Sequence, residues 1–172
     1  MDATLADLPL RETRRLRLTP LRHEDAEALR LLTDDPAIAG SIHFLPAPFT
    51  PADAEALIRC RDSGRDCFLG AWKRGSEALV GVVGAHLRGE NQIEVGYWIG
   101  SAFHKQGYAT EAALGVITVL RRRFPEREVI AECRRANAAS WRVLEKLGFR
   151  LTGEAGQRLG RELLALRAPV AA

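Results

Sequence analysis

The stretch His104-Lys105-Gln106-Gly107-Tyr108-Ala109-Thr110 lies where a strand-like pattern gives way to a helix-like one. Its smallest residues, Gly107 and Ala109, fall at the helix mouth. Backbone N–H groups there lack intrahelical acceptors, and the helix dipole adds partial positive charge. Such a place suits an anion, above all a phosphate. A side chain at position 107 would keep a phosphate from those donors, whereas glycine clears the way and permits positive φ. The same residues would equally serve to turn a strand into a helix, and alone they do not separate the two readings. No G-x-G-x-x-G dinucleotide fingerprint and no Gly-Lys-Ser/Thr loop occurs. His43, His86 and His104 share no metal-ligand spacing. Cys60, Cys67 and Cys133 are odd in number and lack it too, so no metal is expected.

The elements that must position this loop are legible from period and punctuation. "RRLRLTPL" alternates as a half-buried strand, and "HEDAEALRLLTDDP" reads as a helix with acids in its first turn, stopped at Pro36. "SIHFLPAPF" is an apolar loop interrupted by prolines. "TPADAEALIRCRDSG" is a helix with Thr50 as cap, Pro51 in the first turn and Gly64 past its end. "CFLGAW", "ALVGVVGAHLR" and "IEVGYWI" read as three strands joined by turns short enough for hairpins. The helix opening near Gly107 carries Ala109, Ala112, Ala113, Val116, Ile117, Leu120 and Phe124 on one stripe. "REVIAEC" is a strand, "NAASWRVLEKLG" a helix capped by Asn137, and "FRLTGE" and "RELLALRA" a closing strand pair. An antiparallel meander followed by a helical crossover implies one α/β (α+β type) domain over residues 1–172. Its mixed, mostly antiparallel sheet would have about seven strands and helices on both faces, with residues 1–10 a loose segment.

Composition narrows the class. A 172-residue chain is long enough for one well-buried core. The net charge of +3 does not demand a nucleic-acid partner, and no apolar run approaches the ~20 residues that span a bilayer. Three cysteines fit a reduced cytoplasm better than a disulfide scaffold.

Four stretches, "ETRRLRLTPLRHEDAEAL", "IEVGYWI", "HKQGYATEA" and "NAASWRVLEKLGF", together resemble the GNAT superfamily of acyl-CoA N-acyltransferases. The chain looks most like its branch of ribosomal-protein N-terminal acetyltransferases. The resemblance runs from about Arg11 to Arg167. It implies acetyl-CoA as cosubstrate, with its pyrophosphate on the backbone of a Q/R-x-x-G-x-G/A loop. Here that loop is His104, Lys105, Gln106, Gly107, Tyr108 and Ala109, followed by Thr110; His104 departs from the pattern. It also implies that "EVGYWI" splays from "VIAEC", leaving Val95, Tyr97 and Ile99 to pair with the pantetheine arm. Glu94, which shares its strand face with Gly96 and Trp98, becomes the candidate base, with an apolar setting expected to raise its pKa. Asn137 and Ser140 match the family's N-x-x-S helix opening, as cap and cofactor contact and as hydrogen-bond donor to the departing thiolate.

The implied activity is acetyl transfer to a primary amine by direct attack on the thioester. A peptide or protein N-terminus, an amino acid, a polyamine or an antibiotic amine all stay open as acceptor, as does a catalytically inactive acyl-CoA-binding protein. "HFLPAPF" is expected on the acceptor wall. Homodimers are common in the resembling family, while the sequence leaves the oligomeric state open.

Overall fold

The computed structural model describes residues 3–167. Eight strands form one sheet in the order β1-β2-β3-β4-β5-β6-β8-β7. They are β1 Arg11–Glu12, β2 Leu16–Pro20, β3 Asp66–Lys73, β4 Leu79–Arg88, β5 Gln92–Ile99, β6 Glu128–Cys133, β7 Phe149–Ala155 and β8 Glu162–Leu166. The helices are α1 Ala26–Thr33, α2 Pro36–Ala39, α3 Pro51–Arg59, α4 Tyr108–Arg123 and α5 Ala138–Leu147. The eighth strand is the two-residue β1, too short to show alternation. It pairs with β2 through a turn in which Thr13 N–H donates to the Leu16 carbonyl at 2.8 Å. The short α2 begins at the proline that reads as a stop, because a proline also suits a first helical turn and Asp35 accepts from the N–H of Ala37.

Period-2 alternation divides the core in two. Leu16, Leu18, Val83, Ala85, Ile93 and Val95 pack with the α4 stripe and with Leu144 and Leu147 of α5. On the other face Leu21, Val82 and Trp98 pack with Leu29 of α1 and Ala54 of α3. Of the segment expected to be loose, residues 1–2 lie outside the described residues, and residues 3–10 are pinned instead. Leu5 and Leu8 are buried in the α4-side core, and Leu5 N–H donates to the Gly64 carbonyl at 2.7 Å. Burying a leucine contributes ~1.5–3 kcal/mol, enough to hold a segment without regular structure. No helix among the described residues is long and apolar enough to cross a membrane.

The central pair matters most for function. All neighbours are antiparallel except β5 and β6, which run parallel and are joined by the α4 crossover. Their register holds only over Gln92↔Glu128, Ile93↔Val129 and Glu94↔Ile130. Beyond that β5 continues to Ile99 and β6 to Cys133 without pairing to each other, so the sheet opens into a V. Backbone groups along the two inner edges of the V are left without strand partners.

Candidate active site

At one end of the V stands the mouth of α4. Gly107 is its N-cap, left-handed at φ 80°, and no side chain caps the first turn. A Cβ built there would meet only Arg15 Nη2, at 3.5 Å, so the approach to the first-turn N–H groups is open. Lys105 is also left-handed at φ 58°, a conformation most side chains avoid, and it lines the same cleft. The loop is braced from behind by Arg15. Its Nε meets Glu111 at 2.6 Å, its Nη1 donates to the Gln106 carbonyl at 2.9 Å, and its guanidinium lies 4.2 Å from the Tyr108 ring centroid. Glu111 also accepts from Thr13 Oγ1 at 2.6 Å and from Arg15 N–H at 2.7 Å. Burial pushes the Glu111 carboxyl up, but these donors and the Arg15 charge outweigh it and hold the group below its ordinary range. In the sequence Arg15 stands out only as part of a strand, because its partner lies 96 residues away.

The other loop residues divide by role. Tyr108, Ala109 and Thr110 line the cleft with Gly107. His104 lines it too, but its Nε2 is bonded to the Ile99 carbonyl at 2.7 Å, which makes it a strut between loop and strand. The Gln106 side chain turns back to donate to the Ala102 carbonyl at 3.2 Å, and Gln106 is not on the cleft wall.

The cleft, about 550 Å³, runs from this mouth into the V, past Val95, Tyr97 and Ile99. The N-terminus of α5 forms its other side. Asn137 caps that helix, its side chain accepting from Ser140 N–H at 3.1 Å. Ser140 Oγ lies 3.1 Å from the Tyr97 hydroxyl, which also donates to the Ser140 carbonyl at 3.2 Å. Burial raises the Tyr97 pKa, so the phenol keeps its proton and acts as a donor. This Tyr97–Ser140 contact is not visible in the sequence, where Tyr97 figures only through its backbone. Cys133 lines the cleft nearby, and burial raises its pKa, leaving it a neutral thiol.

At the far end lies Glu94, 6% exposed, on the Trp98 face of β5 as alternation requires. Its Oε2 accepts from Arg88 Nε at 2.7 Å and its Oε1 meets Arg158 Nη1 at 2.6 Å. Arg158 also reaches Glu132 at 3.1 Å. Here the expected raised pKa is corrected. Burial does push it up, but the hydrogen bonds and charges of Arg158 and Arg88 prevail, and Glu94 sits below its ordinary range. The sequence places only Trp98 beside Glu94; Arg158 arrives from far along the chain, on the turn between β7 and β8. His43 and Phe44 of "HFLPAPF", with Phe68, complete this wall.

Comparison with known proteins accords with this geometry. Residues 15–150 match the family model described as an acetyltransferase (GNAT) domain. An uncharacterized N-acetyltransferase, YnaD of Bacillus subtilis (strain 168), is 27% identical over 143 residues, covering 82% of each chain. A GNAT-family acetyltransferase structure from Bacillus anthracis superposes with a TM-score of 0.78 at 24% identity, covering 91% of this chain and 97% of that one. RimL, a ribosomal-protein alpha-N-acetyltransferase in complex with coenzyme A, gives a TM-score of 0.79 at 18% identity over 92% of this chain and 97% of its own. The family model spans well over half of the sequence, and the chain belongs to the GNAT acetyltransferase family.

Proposed function

We propose that this protein transfers an acetyl group from acetyl-CoA to a primary amine by direct attack on the thioester. The observation that carries the reading is one continuous cleft. It joins the uncapped mouth of α4 to the splayed edges of β5 and β6, then to the Tyr97–Ser140 pair and the Glu94 carboxylate. The likeness to a coenzyme A complex supports it. Gly107, Tyr108, Ala109 and Thr110 would hold the pyrophosphate through backbone N–H groups, with Lys105 adding positive charge. The inner edges of the V, at Val95, Tyr97 and Ile99, would hold the pantetheine amides.

Acetyl-CoA supplies the thioester: a nitrogen–carbon bond forms, the carbon–sulfur bond breaks, and an ammonium acceptor releases one proton to solvent and one to the thiolate. Ser140 donates a hydrogen bond to the sulfur, its hydroxyl oriented by Tyr97, whose own proton is secure. Glu94 anchors the acceptor nitrogen. Its two oxygens each spend one lone pair on an arginine and keep others for an ammonium. Held below its ordinary pKa, it is a poor base, so the acceptor's own ionisation governs how much neutral amine is present.

Thiol release from acetyl-CoA, followed across peptides, amino acids, polyamines and aminoglycosides, tests the reading. Amine-dependent release is expected. Stabilisation by acetyl-CoA with no release for any amine would make the protein a cofactor-binding protein instead.

A further inference from the structure

We infer that the acceptor carries an anionic group, a carboxylate or phosphate, which seats on Arg161 beside an apolar aromatic wall; this rests on the amine-acetyltransferase reading above. The charges around Glu94 are almost all matched. Arg88 and Arg158 are taken by Glu94 and Glu132, and His86 Nδ1 lies 2.7 Å from Asp66. Arg161 is the half-buried exception; Arg134, which also lines the cleft without an ion pair among the described residues, is exposed. Arg161 itself lines the cleft and forms no ion pair among the described residues. Its Nη2 contact is to His43 Nδ1 at 3.4 Å, and His43 is kept neutral, its pKa lowered by burial and by the charges of Arg158 and Arg161. The nearby Glu132 is already occupied, accepting from Gln157 N–H at 2.6 Å and from both the backbone and the guanidinium of Arg158. Burial and the neighbouring charges of Arg158 and Arg134 act against the Arg161 cation, and the charge of Glu132 offsets them only in part. A half-buried guanidinium with cations for neighbours, whose nearest carboxylate is already bonded elsewhere, is poorly compensated by itself and gains once an anion binds.

Nor is Arg161 a loose surface side chain. Its carbonyl accepts from Gly156 N–H at 2.7 Å and its N–H donates to the Arg158 carbonyl at 3.2 Å, while Glu132 holds the same turn from below. The side chain therefore starts from a fixed backbone, which lowers the entropy lost on binding. Beside this side chain, beyond His43, the rings of Phe44, Phe68 and Trp98 stand with centroids 6.0–6.2 Å apart, and Phe44 is exposed on the rim. Glu94 for an ammonium, aromatic rings for an apolar body and Arg161 for an anion describe a zwitterionic amine of amino-acid type. Polyamines and aminoglycosides would set further positive charge against Arg161.

The test compares phenylalanine, its carboxamide, its phosphonate analogue and phenethylamine as acceptors for the full-length protein. Melting temperatures with coenzyme A present report binding of the same compounds without turnover. The two anionic compounds should exceed the two that lack an anion by about 10- to 100-fold in kcat/KM, and they alone should add stabilisation beyond coenzyme A. Comparing carboxylate with phosphonate shows which anion is preferred. Arg161→Gln should erase that advantage while leaving phenethylamine turnover and acetyl-CoA affinity within about twofold, and Arg161→Lys should restore part of it. Equal turnover and binding of charged and neutral acceptors would overturn the inference and leave the acetyltransferase reading standing. So would a matching loss of acetyl-CoA affinity in Arg161→Gln. Selective binding of the anionic compounds without any thiol release would do the reverse. Silence in both measurements would overturn the inference.

Discussion

Glu94 is pulled in two directions, and the outcome sets its chemistry. Burial alone would favour its neutral form, but the two guanidiniums decide for the anion. Because its folded pKa lies below the ordinary value of 4.5, its stabilising effect is fully present at neutral pH and is lost as pH falls through the folded pKa. The stability difference between wild type and Glu94→Gln, read by denaturant unfolding, should therefore be constant from pH 8 to about 5 and shrink below that. At pH 7 it should fall short of the ~3–5 kcal/mol typical of breaking a fully buried pair, since Arg88 and Arg158 keep some contact with solvent. In turnover, Glu94→Gln should raise the acceptor KM and keep the rise of kcat/KM with pH between 6 and 10. Loss of that rise would make Glu94 the base after all. Ser140→Ala should slow kcat about tenfold and leave acetyl-CoA affinity nearly intact, with Tyr97→Phe giving a smaller loss in the same direction. Equal losses in affinity and turnover for Ser140→Ala would end its assignment to the leaving group.

Helix ends do much of the positioning. Both ends of α5 are readable, since Asn137 punctuates its opening and Gly148 its close, and the structure places them as N-cap and C-cap. The opening of α4 was only half readable. Gly107 announces a turn, but the brace that gives the turn its shape comes from Arg15, Thr13 and Glu111, which join segments far apart in sequence. Glu111→Gln keeps the shape and removes the charge, so it should weaken acetyl-CoA binding several-fold by loosening Arg15 from the Gln106 carbonyl. It should also remove the Glu111 share of the stability that wild type loses on acidification, because the Glu111 pKa is likewise lowered. Calorimetric titration with acetyl-CoA together with acid unfolding checks both, and unchanged affinity would reduce the brace to a purely structural one.

Across the whole molecule, periodicity was a good guide wherever one residue faces one layer. β5 sorts Ile93, Val95 and Tyr97 from Glu94 and Trp98 as alternation demands, and the α4 stripe packs on the sheet as its spacing demands. What could not be read is where remote segments meet. The turn from Gly156 to Arg161 has no local signature of function, yet it supplies the partner that decides the Glu94 charge. The buried Leu5 and Leu8 likewise look like an unremarkable terminus until the core they fill is known. The V itself follows from the parallel pairing of β5 and β6 ending after three residue pairs, which only the assembled sheet reveals. The central claim is that the V and the mouth of α4 hold acetyl-CoA, and melting temperature with and without the cosubstrate tests it most directly. At a concentration about 100 times Kd, wild type should gain about 5–10 °C. Both Gly107→Ala and Gly107→Glu should cost the unliganded protein about 1–2 kcal/mol, because φ is 80° there. Gly107→Ala should still show a reduced gain, whereas Gly107→Glu, which sets a carboxylate against the pyrophosphate, should show none. A full gain in Gly107→Glu would contradict the claim and place the cofactor elsewhere.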